Sequence, residues 1–176
     1  MTYRAGFWPG HAALLAALRN EVAWEASMSA RETASFGRPY NYAQMVYPAR
    51  PMHRLLVPVV EGLQAALGIA FNNCLLNYYP DERAKMGFHS DDVADLEPDT
   101  GVAIVSLGAA RRLSFRRRAR PAGGAPPHPD GRFALTLAGG SLLFMPHAVQ
   151  HEWAHALKRQ RPRAGPRISL TWRCFR

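Results

Sequence analysis

From Phe71 to Arg173 the chain is cut into seven short β-rich runs: FNNCLLNYY, GVAIVSL, RLSFRR, FALTLA, SLLFM, EWAHAL and RISLTWR. All are rich in the branched, aromatic and apolar residues that suit a pleated surface. Turn-forming stretches separate them: PDERAKMG, LEPDT, PAGGAPPHPDG, AGG and RPRAG. Many short strands joined by turns bury their apolar faces by closing into an antiparallel sandwich or barrel. The 121–131 stretch, with its Gly and Pro, is the expected floppy loop.

Two helices are expected ahead of these strands. The first runs from His11 to Trp24, with Leu14, Leu15, Leu18 and Val22 on one face. The second runs from Met52 to Leu67, with Leu55, Leu56, Val59, Val60 and Leu63 on its apolar side and Gly68 as its stop. Residues 31–51, RETASFGRPYNYAQMVYPARP, read as a strand-and-loop segment at the surface. The expected architecture is α+β, with both helices packed on one sheet. At 176 residues the chain fits one domain, 1–176, long enough to bury a core.

A net charge of +9 constrains the partners rather than the fold. The basic residues cluster in RRLSFRRRAR (111–120) and KRQRPRAGPR (158–167), which suits a polyanion such as nucleic acid. The alternative is a solvated basic face in an Arg-rich chain. Cys74 and Cys174 form no CxxC pair and read as small buried residues of a reducing compartment. MTYRAGFWPG lacks the apolar core of a signal peptide, and no apolar run reaches the length of a membrane span. The expectation is a cytoplasmic monomer with no membrane partner.

GFHSDD (87–92) sets His89 two residues before Asp91. On a strand those side chains share a face and can grip one metal ion. A two-histidine, one-carboxylate triad then needs a distant histidine. PHAVQHEWAH offers His147, His151 and His155, and spacing alone leaves all three open. RISLTWR sets Ile168, Leu170 and Trp172 on a core face, and Arg167, Ser169, Thr171 and Arg173 on the other. At about 3.3 Å per residue the two Arg Cα atoms stand roughly 20 Å apart. Side chains folding inward from both ends leave a gap suited to a short dicarboxylate, which guanidinium forks bind through both oxygens. The alternative is a basic edge strand with outward Arg residues. In NYY, Asn77 and Tyr79 share a face and can donate to a carboxylate, or simply pack.

The order N-x-Y, H-x-D, H, R-x5-R resembles the AlkB family of Fe(II)- and 2-oxoglutarate-dependent dioxygenases, nearest to its human DNA-repair homologues 2 and 3. LLNYYPDERAKMGFHSDD, VSLGAARRLSFRRR, GGSLLFMPH, HEWAHAL and PRISLTWR carry the resemblance, which covers about residues 31–173. It implies a double-stranded β-helix (jelly-roll) core over 71–173 and a substrate-lid segment over 31–50. It selects His155, on the W-x-H strand, as the partner of His89 and Asp91 on Fe(II). It assigns Asn77, Tyr79, Arg167 and Arg173 to 2-oxoglutarate and leaves a metal position for O2. It aligns Tyr42 with the aromatic that stacks on the target base opposite His89, with Tyr40 as its neighbour. Asp92 is expected to orient the base or pair with an Arg. The activity implied is oxidative demethylation of N-alkylated bases, releasing formaldehyde, succinate and CO2.

This chain departs from the duplex-repair relatives at two places. AWEASMSARETASFG is shorter than their finger-bearing hairpin and shows no intercalating aromatic at its tip, and Val93 replaces an acidic residue. A single strand is therefore the expected substrate. The rival readings are a small-molecule or peptide hydroxylase with the same chemistry, a non-catalytic nucleic-acid-binding β-domain, and a zinc hydrolase.

Overall fold

The computed structural model describes residues 1–26, 30–42, 45–118, 131–160 and 163–176, without the side chains of Tyr42 and Met45. The elements are β1 (Thr2–Arg4), α1 (His11–Glu21), β2 (Glu32–Gly37), β3 (Tyr40–Tyr42), β4 (Met45–Tyr47), α2 (Val57–Leu67), β5 (Asn73–Tyr79), β6 (Met86–His89), β7 (Gly101–Gly108), β8 (Arg111–Arg117), β9 (Arg132–Leu137), β10 (Leu142–Pro146), α3 (His147–Glu152), β11 (Trp153–Leu157) and β12 (Arg167–Arg173). They build a six-stranded sheet, β1-β10-β7-β12-β5-β2, and a four-stranded sheet, β6-β11-β8-β9, with β3 and β4 as a separate hairpin. Every pairing is antiparallel. This is the jelly-roll core that was expected.

Both helices pack on the outer face of the larger sheet. Leu14, Leu15 and Leu18 of α1 and Val59 and Leu63 of α2 share one core with Leu76, Ile168, Leu170 and Trp172. A second core lies between the sheets and includes Ile104, Leu113, Phe115, Leu137, Leu143, Met145 and Leu157. Strand β12 contributes its apolar face to the first core. Its Ile168, Leu170 and Trp172 face the helices, and its other face looks between the sheets. It pairs with β5 on one side and β7 on the other, and all seven of its residues are buried. The alternative of a basic edge strand therefore fails: this is a central strand whose arginines point inward.

Several boundaries differ from the expectation. Helix α1 stops at Glu21 because Val22 turns extended, with φ −85° and ψ 132°. Helix α2 starts at Val57 rather than Met52. Pro58 lacks an N–H and fits only the first helical turn, so the helix opens around it. Gly68 ends it as expected, at φ 70° in the left-handed region that glycine reaches most readily. Strands β1, β3, β4 and β6 were not expected as separate elements, and the 31–51 segment supplies β2, a full member of the larger sheet. At its end Gly37 has φ 90°, and a Cβ there would lie 2.1 Å from the Asn72 carbonyl oxygen. That glycine lets the chain turn tightly from β2 towards Tyr40. Residues 121–130 of the Gly/Pro loop, and 27–29 at the tip of the shortened hairpin, lie outside the described residues.

Candidate metal centre and co-substrate cavity

Strand β6 ends at His89, and its partner across the ladder is His155 of β11. The two rings lie 4.4 Å apart between centroids. Asp91 is not on the strand, as the H-x-D reading required, but in the loop just beyond. There its N–H donates to Gln150 Oε1 at 2.9 Å, so a buried glutamine on α3 sets the position of the carboxylate. The ligand atoms of His89, Asp91 and His155 all lie within 4.8 Å of one another. His147 and His151 do not join them. Both ride on α3 instead of a loop or strand, with rings 5.2 Å apart, and His147 Nε2 sits 3.2 Å from the Val93 carbonyl oxygen.

The protonation states suit a metal. His89 Nδ1 lies 2.9 Å from the Gly87 carbonyl oxygen, which can only accept, so Nδ1 is the donor of that contact and the contact orients the ring. Burial pushes the His155 pKa down to about 4, against the pull of Asp91, and keeps the ring neutral. Burial alone would raise Asp91, but Arg173, His155 and His89 outweigh it and hold the carboxyl below its usual range. Asp91 Oδ1 accepts from Arg173 Nη2. Its Oδ2 is buried, 3.6 Å from His155 Nε2, and accepts no hydrogen bond among the described residues. A buried carboxylate oxygen without a donor among the described residues, beside two imidazoles, fits Fe(II) and leaves coordination positions open.

Beyond the triad runs one cavity, lined by Asn77, Tyr79, Arg167, Ser169, Thr171 and Arg173 among others. The ladder fixes their order: Arg167 opposite Tyr79, Ser169 opposite Asn77, Thr171 opposite Leu75 and Arg173 opposite Asn73. Arg173 stands at the metal end and Arg167 at the distal end. Arg167 donates from Nη2 to Ser106 Oγ at 3.0 Å and lies over the Tyr79 ring. Burial raises the Tyr79 pKa, so the phenol keeps its proton as a donor. Arg167 Nε, Arg173 Nε and Arg173 Nη1 are buried and have no hydrogen-bond partner among the described residues. Unpaired buried donors at both ends of one cavity fit a dicarboxylate such as 2-oxoglutarate.

The base-side residues are placed less uniformly. Tyr40 is buried and lines the cavity, with the Arg173 guanidinium 4.5 Å from its ring centre and Phe175 on another side. The Tyr42 side chain lies outside the described residues. Asp92 is exposed and accepts from the Ala94 N–H at 3.0 Å. It lines a groove over the triad with Phe88, His89, Arg117, Arg118 and His151.

Sequence reasoning missed Gln150 and Arg31. Arg31 is buried, lines the cavity, and donates from Nε to Asn77 Oδ1 at 2.7 Å. Neither belongs to a spaced motif, and only the pairing of β2 with β5 brings Arg31 to Asn77. Arg111, in the basic cluster, is also not a surface cation. It is buried and donates to the carbonyls of Asp81, Ala84 and Lys158.

Comparison with known proteins agrees with this geometry. Residues 13–173 match the 2OG-Fe(II) oxygenase superfamily. Human DNA oxidative demethylase ALKBH2 is 32% identical over 137 residues, covering 78% of this chain and 52% of the relative. Alpha-ketoglutarate-dependent dioxygenase alkB homolog 3 of Mus musculus is 31% identical over 180 residues, covering 91% and 60%. The chain thus spans little more than half the length of these relatives. Among solved structures, OsALKBH1 superposes with a TM-score of 0.61 at 13% identity, covering 98% of this chain and 96% of that one. A Pseudomonas putida prolyl-4-hydroxylase superposes with a TM-score of 0.55 at 18% identity, covering 99% and 92%. At such identities the two structures speak for the fold alone. The match along 13–173, together with the relatives of about 30% identity, means that the chain belongs to the 2OG-Fe(II) oxygenase superfamily and, within it, to the AlkB family.

Proposed function

We propose that the chain is a 2-oxoglutarate- and Fe(II)-dependent dioxygenase that demethylates N-alkylated bases in nucleic acid, with single strands preferred. One observation carries the reading. The metal triad and the dicarboxylate cavity are joined by a shared contact, Arg173 on Asp91, so that a chelating co-substrate and a metal ion meet at one point. Fe(II) bound by His89, Asp91 and His155 supplies the site at which O2 is activated. Arg167 and Tyr79 hold the distal carboxylate, with Asn77 beside them, and Arg173 holds the metal end. In balance, 2-oxoglutarate, O2 and an N-methyl group give succinate, CO2 and an N-hydroxymethyl group, which breaks down to the free amine and formaldehyde. The relatives named for oxidative demethylation support this substrate class, as does the Arg-lined groove beside Asp92. The short 23–37 segment supports the single strand, since extruding a paired base costs a few kcal/mol that a single strand largely avoids.

The test measures succinate and formaldehyde from matched single- and double-stranded methylated oligonucleotides. Formaldehyde from the single strand at several times the duplex rate is expected, and Tyr42→Ala should slow it. Succinate that ignores every oligonucleotide but rises with a small molecule or peptide would overturn the substrate reading.

Arg31 acts here as a positioning residue. By occupying Asn77 Oδ1 it leaves the Nδ2 amide as the group that Asn77 can offer to a ligand in the cavity it lines. Arg31→Met should weaken 2-oxoglutarate roughly tenfold, one charged hydrogen bond's worth. Oxalate, which occupies only the metal end, should bind unchanged. Equal losses for both ligands would reduce Arg31 to a structural role.

A further inference from the structure

The outer face of the four-stranded sheet is a cationic row with no described counter-charge. Its strands read MGFH, WAHAL, RRLSFRR and RFALTL, without a single Asp or Glu. Arg111, Leu113 and Phe115 of β8 point inward, so alternation turns Arg112, Ser114 and Arg116 outward. Arg116 sits directly opposite Arg132 of β9. Like charges directly opposite are destabilising in a sheet unless an anion lies between them. On its other side Arg116 pairs with Ala154, whose small side chain lets the guanidinium reach across β11 to the Phe88 ring at 4.4 Å. Lys158 Nζ lies 5.3 Å from the same ring. The row therefore runs from Phe88 on β6 over Ala154 of β11 to Arg116 on β8 and Arg132 on β9, with Lys158, one residue beyond the end of β11, against the Phe88 ring. Among the described residues no carboxylate pairs with Arg112, Arg116, Arg132 or Lys158.

We propose that this face is a second, sequence-independent binding surface for single-stranded nucleic acid, where Lys158, Arg116 and Arg132 meet successive phosphates and a base stacks at the Phe88–Arg116 pair. The proposal rests on the nucleic-acid reading above and extends it beyond the cavity. Cations interleaved with an aromatic on an open sheet are the chemistry that single strands need, because every base has a stacking face and every phosphate a charge. Four strands at about 4.8 Å span roughly 14 Å, the rise of about four stacked nucleotides. The face is also continuous with the site. Phe88 and Arg116 line the groove over the triad, and Phe88 precedes His89 on β6. A strand whose base enters the cavity passes along that groove and over the β6 edge onto the row.

The test uses the double variant Arg132→Gln, Lys158→Gln, both exposed and both outside the groove and the cavity. Binding of labelled unmethylated 20-mer and 5-mer single strands is followed across a salt series, beside formaldehyde release from methylated strands of both lengths. For the 20-mer, affinity should fall roughly tenfold at low salt, and the log–log salt slope should become shallower by about 1.4, two lost contacts at 0.7 each. Turnover of the 5-mer should not change. A 20-mer affinity and slope equal to wild type would overturn the proposal while demethylation stands. A wild type that neither binds nor demethylates any strand would overturn the nucleic-acid reading and this proposal together. Mn(II) binding by the double variant reports that it is folded. Arg112→Gln, on the same face but four residues from Arg116 along β8, should show the smaller loss of a single contact.

Discussion

Asp91→Ala should abolish metal binding, and it should also destabilise the metal-free protein. With Mn(II) or Co(II) as an O2-inert stand-in for Fe(II), calorimetry on the variant should show a loss of at least about 100-fold, at the top of the range for removing groups that only support ligands. Asp91 is the one carboxylate in the triad and sits between both imidazoles and a guanidinium. Its removal also strands Arg173, 2% exposed, in the interior without its carboxylate. Breaking a buried ion pair from one side costs roughly 3–5 kcal/mol, so thermal unfolding should come many degrees earlier. His155→Ala should lose the metal too, whereas His147→Ala and His151→Ala should bind it as wild type does. Normal binding by Asp91→Ala, or loss in either α3 variant, would refute the assignment.

How far the sequence alone reached can be judged from particular residues. Strand β12 was legible because Ile168, Leu170 and Trp172 alternate strictly with Arg167, Ser169, Thr171 and Arg173, and period two survives folding whatever the partners are. It did not reveal that β12 is central. An inward arginine and an outward one look alike in a sequence, and only pairing with β5 and β7 tells them apart. The histidines show a similar limit. Spacing left His147, His151 and His155 equivalent, and the ladder pairing of His155 with His89 is a long-range event. Family resemblance supplied that choice; periodicity did not. Asp91 was legible as a ligand candidate, but its support was not. The β6 strand ends at His89, and what holds Asp91 is Gln150, 59 positions away in sequence. Arg111 reverses the lesson. It reads as part of a surface cluster, yet three backbone carbonyls draw it inside, because those acceptors lie in the β5–β6 connection and just past β11, which the sequence does not bring together.

The two arginines of β12 should prove separable by ligand. Arg173 touches Asp91 at the metal end, whereas Arg167 sits six residues away beside Tyr79 and Ser106. Arg173→Ala should therefore weaken both 2-oxoglutarate and oxalate, because each places a carboxylate at the metal end. Loss of a charged hydrogen bond costs roughly 1.5–3 kcal/mol, or about 10- to 150-fold in affinity. Arg173→Lys should recover only part of this, since an ammonium cannot form the planar fork that reaches Asp91 and an anion together. Arg167→Ala should weaken 2-oxoglutarate over the same range and leave oxalate alone. The Arg173 variant carries a second signature. Arg173 is the largest influence holding the Asp91 carboxyl down against burial, so without it the Asp91 pKa rises. A metal ion must then displace a proton that wild-type Asp91 does not hold. The sign follows: the metal affinity of Arg173→Ala falls more steeply than that of wild type as pH is lowered, and Arg167→Ala keeps the wild-type profile. Parallel pH profiles for all three proteins, or oxalate affinity lost equally in both variants, would mean that the two guanidiniums are not placed at opposite ends of one ligand.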